Sequence, residues 1–162
     1  MATDMYIKLD GIEGESLDSK HGGEIQLLSF DFGAAQSATA HEGSGSTSGR
    51  ADVLDLSIVK NTDKSSPLLF FLCCSGTHIP KAVLNVRKAG GSAPLDYLTI
   101  TLTQVLVSSF KSGAQGSSDR VTETVVLNFA TIKVDYTPQK ADGSGLPQVS
   151  KGWNISTNSE LS

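Results

Sequence analysis

Asp119-Arg-Val-Thr-Glu-Thr-Val-Val-Leu-Asn-Phe-Ala-Thr-Ile-Lys-Val-Asp-Tyr-Thr-Pro-Gln-Lys-Ala-Asp142 reads as one long β-strand running into a turn. Val121, Val125, Val126, Phe129, Ile132, Val134 and Tyr136 are β-branched or aromatic and suit a pleated, half-buried surface, while Pro138 and Asp142-Gly143 end the segment. A strand of this length needs neighbours on both sides. The doubled pair Val125-Val126 puts apolar side chains on both faces, so both faces are expected to be covered.

Outward from this segment, alternation dominates. Met5, Ile7 and Leu9 share one parity, as do Leu54, Leu56 and Ile58, then Ala82, Leu84 and Val86, then Leu98, Ile100, Leu102 and Leu106. Each set marks a strand with one face in a core. The segments between them, Gly11 to Gly23, His41 to Arg50, Lys88 to Pro94 and Lys111 to Arg120, are rich in residues that favour turns. In Glu24 to Gly33 the apolar parity moves from Ile25 and Leu27 to Leu28, Phe30 and Phe32, which a bulge or a change of packing partner explains. One short helix is expected, with Ser66 as N-cap, Pro67 at the first helical position and Gly76 as the left-handed residue that ends it. Its run Leu68 to Cys74 is apolar on all sides and is expected to be largely buried. A buried strand is the competing reading of that run; Pro67 and the caps favour the helix.

At 162 residues the chain is expected to form a single domain over 1–162, large enough to remove roughly 70% of its unfolded surface from water. The 13 Lys and Arg stand against 17 Asp and Glu, a formal charge of -4, and no run of basic residues concentrates charge. Nucleic acid and anionic membrane are therefore poor partners. The longest apolar run, Leu68 to Cys74, is seven residues, against about 20 needed to span a bilayer, so no membrane insertion is expected. The start, Met1-Ala-Thr-Asp-Met-Tyr-Ile-Lys8, has neither a basic n-region nor an apolar h-region, and the chain is expected to fold in the cytoplasm without a Sec-type signal. Its two cysteines, Cys73 and Cys74, are neighbours whose mutual bridge would strain the ring, and they read as buried thiols.

Catalytic signatures are missing. No Gly-x-Ser-x-Gly elbow, Walker loop, His-Glu-x-x-His helix or Cys-x-x-Cys pair occurs in the sequence. His21, His41 and His78 lie in different segments without metal-ligand spacing, each bordering a predicted loop, and read as exposed or turn-bonding imidazoles. Asp52, Asp55 and Glu123 could form an acid/base pair, but solvated charges are the stronger reading. No catalytic residue, metal or cofactor is expected. The loop His41, Glu42, Gly43, Ser44, Gly45, Ser46, Thr47, Ser48, Gly49, Arg50 looks superficially like a phosphate cradle but leads into a strand, without the helix dipole that helps such cradles hold anions. It reads as a mobile or docking loop. Asn154-Ile155-Ser156 is a glycosylation sequon by pattern only.

A series of segments closely resembles the haemolysin-coregulated protein family of the bacterial type VI secretion machine. They are Asp4 to Lys8, Gly14-Glu15-Ser16, Asp55-Leu56-Ser57, Asp63 to Pro67, Ser75 to His78, Arg87 to Gly91, Tyr97 to Leu102, Val105 to Ser109, Pro138 to Gly143 and Gly152 to Ile155, together with the long Asp119 to Asp142 segment. Any one of these is weak; in this order and spacing they are specific.

The resemblance implies a mainly β fold, a β-barrel of two packed antiparallel sheets with one short flanking α-helix. It implies a non-enzymatic subunit that closes into homo-hexameric rings, which stack into a tube. A contractile sheath drives such a tube out of the cell behind a spike protein, with small effector proteins carried in the lumen, which would take the chain out of the bacterial cytoplasm without a signal peptide. Head-to-tail contacts that close into rings fit this picture. Only Ser156 to Ser162 follow Gly152-Trp153-Asn154-Ile155, so the plain tube form is expected rather than one carrying a toxic enzyme domain. Where relatives often place a small polar residue between two aromatics, this chain has Phe30-Asp31-Phe32. Period-two alternation puts Phe30 and Phe32 on one face of the strand and Asp31 with Ser29 on the other. The resemblance suggests that this second face lines the channel, making Asp31 and Ser29 candidate cargo contacts; pairing of Asp31 with a surface Lys or Arg is the alternative. The resemblance also suggests that the loop His41 to Arg50 contributes to contacts between subunits or rings. A phage-like tail tube protein is the rival in the same structural class, and a small β-sandwich carbohydrate-binding module the rival outside it, although Trp153 and three Tyr offer few aromatics for stacking on sugars.

Overall fold

The computed structural model describes residues 3–36, 50–88 and 93–161. Among them the chain forms β1 (Thr3–Leu9), β2 (Ile25–Gln26), β3 (Ser29–Asp31), β4 (Ala34–Ala35), β5 (Asp52–Val53), β6 (Leu56–Asn61), α1 (Ser66–Ser75), β7 (Ile79–Lys88), β8 (Asp96–Gly113), β9 (Thr122–Asn128), β10 (Thr131–Tyr136), β11 (Val149–Asn154) and β12 (Ser159–Glu160). The first sheet runs β12-β11-β10-β8-β7-β1-β2 and the second β3-β6-β9-β8, with every pairing antiparallel. A separate ribbon is formed by β4 and β5. Buried residues from both sheets, among them Ile7, Ile25, Ile58, Leu84, Ile100, Leu102, Val125 and Leu127, make one continuous cluster.

The mainly β, two-sheet, one-helix architecture agrees with the expectation from the sequence. The long strand does not lie where expected. Asp119 to Asp142 divides into β9 in the second sheet and β10 in the first, and the chain crosses between them at Phe129-Ala130. The cause is a change of apolar parity, since Val125, Leu127 and Phe129 face the core but Ile132 follows on the even positions. Shifting parity while one sheet continued would turn apolar side chains to solvent; changing sheet keeps them inside. The long strand is instead the 18-residue β8, whose first half pairs with β7 and β10 and whose second half pairs with β9. It turns its corner at Gln104, where φ is 50°, and Ala130 N–H closes the corner by donating to Thr103 O at 3.0 Å.

The two sheets are joined by such corner-turning strands and are not closed into a barrel. At the other junction, between β2 and β3, Leu27 N–H donates to Met5 O at 2.9 Å and Leu28 N–H to Val59 O at 2.7 Å, one bond to each sheet. The parity change noted in Glu24 to Gly33 is this change of partner, since β2 pairs with β1 and β3 with β6.

Helix α1 has Ser65 rather than Ser66 as its N-cap, and Gly76 at φ 66° ends it, its N–H bonding Leu72 O at 3.0 Å. The expected burial of the helix is overturned. Within it only Ser66, Leu69 and Leu72 are buried, whereas Leu68, Phe70 and Phe71 are 38%, 56% and 59% exposed. The buried-thiol reading falls with it, because Cys73 is half-buried and Cys74 exposed. A helix laid on a sheet can bury one stripe, and an apolar sequence on every side must leave the rest outside. No helix among the described residues is long and apolar enough to cross a membrane.

Candidate functional site

Short strand β3 hangs on the edge of the second sheet through the pairs Ser29 with Val59, Phe30 with Ile58 and Asp31 with Ser57. Phe30 is half-buried and packs against the core, so Ser29 and Asp31 point the other way and are exposed, as alternation requires. The register carries this outward face across the sheet, through Ser57 and Val59 on β6 to Val126 and Thr124 on β9, and on to Ser109 and Lys111 on β8. It is a surface of small polar and β-branched side chains. Its two charges, Asp31 and Lys111, sit on opposite edges, three inter-strand steps and two residues out of register, roughly 16 Å apart. Asp31 makes no ion pair with any described residue. Phe32 continues beyond β3, 37% exposed, its ring stacked on Phe30 at 6.4 Å between centroids. Such a face offers hydrogen bonds and a carboxylate to a partner surface. It holds no nucleophile paired with a base, and no group of three or more potential metal ligands occurs among the described residues.

The other residues singled out from the sequence are dispersed. His41 to Gly49 lie outside the described residues; Arg50, at the end of that segment, donates from Nη2 to Ile155 O at 2.7 Å. His78 is exposed. Of the two expectations for His21, exposed or turn-bonding, the second fits: it is 4% exposed, with Nδ1 2.9 Å from Glu24 Oε2 three residues on, Nε2 3.1 Å from Asp96, and its ring stacked on Tyr6 at 4.6 Å. Asp52 is exposed and Asp55 accepts bonds from Ser108 Oγ at 3.0 Å and Asn128 Nδ2 at 2.9 Å. Glu123 corrects the solvated reading most sharply. It lies directly across the ladder from Lys60 on the core face, both essentially buried, with Lys60 Nζ donating to Glu123 Oε1 at 2.6 Å. Lys60 also donates to Ser66 Oγ and Asn61 O and sits 3.0 Å from Asp63; Ser66 and Thr62 donate to Glu123. The partners of this pair come from the end of β6, the connection after it and the first turn of α1, so the cluster fastens helix to sheet.

A second buried cation escaped the sequence reading. Arg87 forms a two-pronged ion pair with Asp18, lies 3.5 Å from Asp4, bonds the Tyr6 hydroxyl at 3.3 Å and stands 5.2 Å over the Tyr6 ring. The hydrogen bonds from Arg87 are the largest influence holding the Asp18 carboxyl down to about 2, helped by the backbone N–H groups of Lys20 and His21. Alternation predicts that a residue after inward Val86 faces outward. A register shift between Val86 and Arg87 turns both inward, leaving them 3% and 6% exposed, and no sequence signal marks that bulge.

Comparison with known proteins bears on what this scaffold is. Residues 6–136 match the family model described as type VI secretion system effector, Hcp. The chain is 51% identical over 160 residues to protein hcp1 of Pseudomonas aeruginosa, covering 98% of each. It is similar to the crystal structure of Hcp1 from Salmonella typhimurium, with 37% identity, a TM-score of 0.82 and coverage of 99% of this chain and 100% of that one. A solved type six secretion system protein superposes with a TM-score of 0.92 at 32% identity, again covering 99% and 100%.

Proposed function

The chain belongs to the Hcp family of type VI secretion tube proteins, and from that premise we propose that it is a non-enzymatic tube subunit. Six copies close into a ring, rings stack, and the stack is driven from the bacterial cytoplasm to the outside by a contractile sheath behind a spike, with small effector proteins held in the lumen. The observation that carries the cargo role is the outward face of the second sheet. Small side chains turned away from the core make a smooth wall, and Asp31 with Ser29 stands at its edge without a charge partner among the described residues. A wall of this kind holds folded cargo by repetition, since each carboxylate recurs once per subunit, and leaves it free to depart because single exposed contacts are weak. The segment His41 to Arg50 contributes to contacts between subunits or rings.

Negative-stain imaging of the purified protein tests the assembly. Annular particles with an open centre are the expected result, and featureless single-chain particles at micromolar concentration would remove the ring reading. The role of Asp31 in cargo binding is read out by effector co-purification.

A further inference from the structure

Between β1 and β2 the chain forms a strap, residues 11–24, that covers Tyr6 of β1 and Arg87 of β7, leaving them 5% and 6% exposed. Its apolar anchoring is confined to one end, because Ile12 joins the core whereas Leu17 is 98% exposed. The far part is therefore held by polar contacts. Three of them reach distant segments: Asp18 takes the two-pronged ion pair from Arg87, Lys20 Nζ donates to Pro94 O at 3.3 Å, and His21 meets Asp96 at the start of β8.

Protons affect these ties differently. Hydrogen bonding to Arg87 holds the Asp18 carboxyl down to about 2, the same bond raises Arg87, and burial raises Tyr6. The pin between Asp18 and Arg87 thus keeps its charges on both sides of neutrality. At His21 the geometry is different. Nδ1 lies 2.9 Å from Glu24 Oε2, and Nε2 lies 3.1 Å from each oxygen of Asp96. A carboxylate only accepts and a neutral imidazole has a single N–H, so filling both contacts takes a ring with two. No other cation pairs with Glu24 or Asp96 among the described residues. The remaining charged groups that face this site are engaged elsewhere, Asp4 and Asp18 with Arg87, and Lys20 with Pro94 O.

We propose that His21 is a proton-operated latch, closing the strap 11–24 on the first sheet while its ring carries two protons and loosening it when one is lost. Imidazole is the side chain that ordinarily changes charge between about pH 5 and 8. Losing a proton turns a lone pair toward a carboxylate, so a charge-assisted hydrogen bond becomes a repulsion in a site that is 4% exposed. The Asp18 pin and the buried Ile12 remain. The strap therefore loosens locally while the strands beneath it stay paired, a low-stability unit on a stable scaffold. The latch belongs to the single chain and is independent of the tube reading.

Nuclear magnetic resonance of the full chain tests it. Long-range proton–nitrogen spectra should show both His21 ring nitrogens protonated at about pH 6. The amides of Ser16, His21 and Gly23 donate to Glu24 O, Asp18 Oδ1 and Ser16 O within the strap. Their protection factors, corrected for the intrinsic pH dependence of exchange, should fall about tenfold between about pH 6 and pH 9, while that of Ile100 in the core ladder holds. His21→Gln, with one donor group and no charge, should show the lower protection throughout and no such fall. Asp96→Asn, whose amide can meet a neutral ring with either end, should flatten the dependence as well and serves where His21→Gln does not fold. A ring with a single proton at about pH 6 would overturn the latch. So would strap protection that stays level in the parent chain, or a fall that persists in the variants.

Discussion

Lys60 and Glu123 sit opposite each other on the core face of a sheet, a place where a charge survives only with a full set of partners. The structure supplies them from three elements, so removing one member strands the other. Glu123→Ala is expected to destabilise by about 3–5 kcal/mol, whereas Lys60→Met combined with Glu123→Leu should cost far less, a contrast readable in urea unfolding. Asp18 yields a pH prediction. Its pKa is depressed in the folded state to about 2 by Arg87, so its contribution is present in full above the ordinary aspartate value of about 3.9 and lost as pH falls through the folded value. Stability should therefore drop between about pH 4 and pH 2 in part through this carboxyl. Asp18→Asn should already be weaker at pH 6 and show a shallower acid dependence in denaturant titrations; equal slopes would mean that another carboxyl carries the effect. Asp31 behaves differently, being exposed and outside any ion pair with described residues. Asp31→Lys should leave folding and assembly unchanged yet alter effector co-purification and secretion strongly, since the charge is repeated in every subunit. Unchanged cargo recovery would reject the lumenal role.

At the scale of elements, the informative features are corners. Strand β8 crosses from one sheet to the other at Gln104, whose positive φ of 50° is unusual for a residue with a side chain. Although Gln104 is exposed, Gln104→Val should cost about 1–2 kcal/mol because a β-branched residue resists that backbone, while Gln104→Gly should be close to neutral. Thermal melts of the two variants measure the difference. The loop after β1 has its own constraint: a Cβ on Gly14 would stand 2.4 Å from Glu24 O. That explains a glycine in the segment Gly14-Glu15-Ser16 by close backbone approach, since Gly14 N–H bonds Gly23 O at 2.8 Å and Ser16 N–H bonds Glu24 O at 3.0 Å. Helix α1 is the element whose existence was easiest to read and whose surroundings were hardest. Pro67 and Gly76 set its ends locally, but which of its apolar residues are covered depends on β8, where the ring of Phe70 meets that of Phe110 edge-on at 5.9 Å.

For the molecule as a whole, light scattering of dilute protein should give a mass several times that of the 17.0 kDa chain, independent of whether rings stack further; a single-chain mass across micromolar concentrations would exclude the ring. Much of the molecule was legible without coordinates. Period-two alternation gave the strands around Ile7, Leu84 and Ile100, and the same rule placed Asp31 and Ser29 together on the face opposite Phe30, because successive side chains of a strand have no other choice. The parity change at Leu27-Leu28 was legible for the same reason as a bulge or a change of partner, and the structure makes it a change of partner. What the sequence alone left open was decided by contacts between distant segments. It could not divide Asp119 to Asp142 between two sheets, since a strand that turns a corner and a strand that continues carry the same β-formers. It could not bury Glu123, Lys60, His21 or Arg87, because a charged side chain enters a core only where several remote donors and acceptors converge on it, and only the packed chain brings those together. Alternation along one strand is a local property of the backbone, whereas the choice of sheet and the set of partners around a buried charge belong to the tertiary structure.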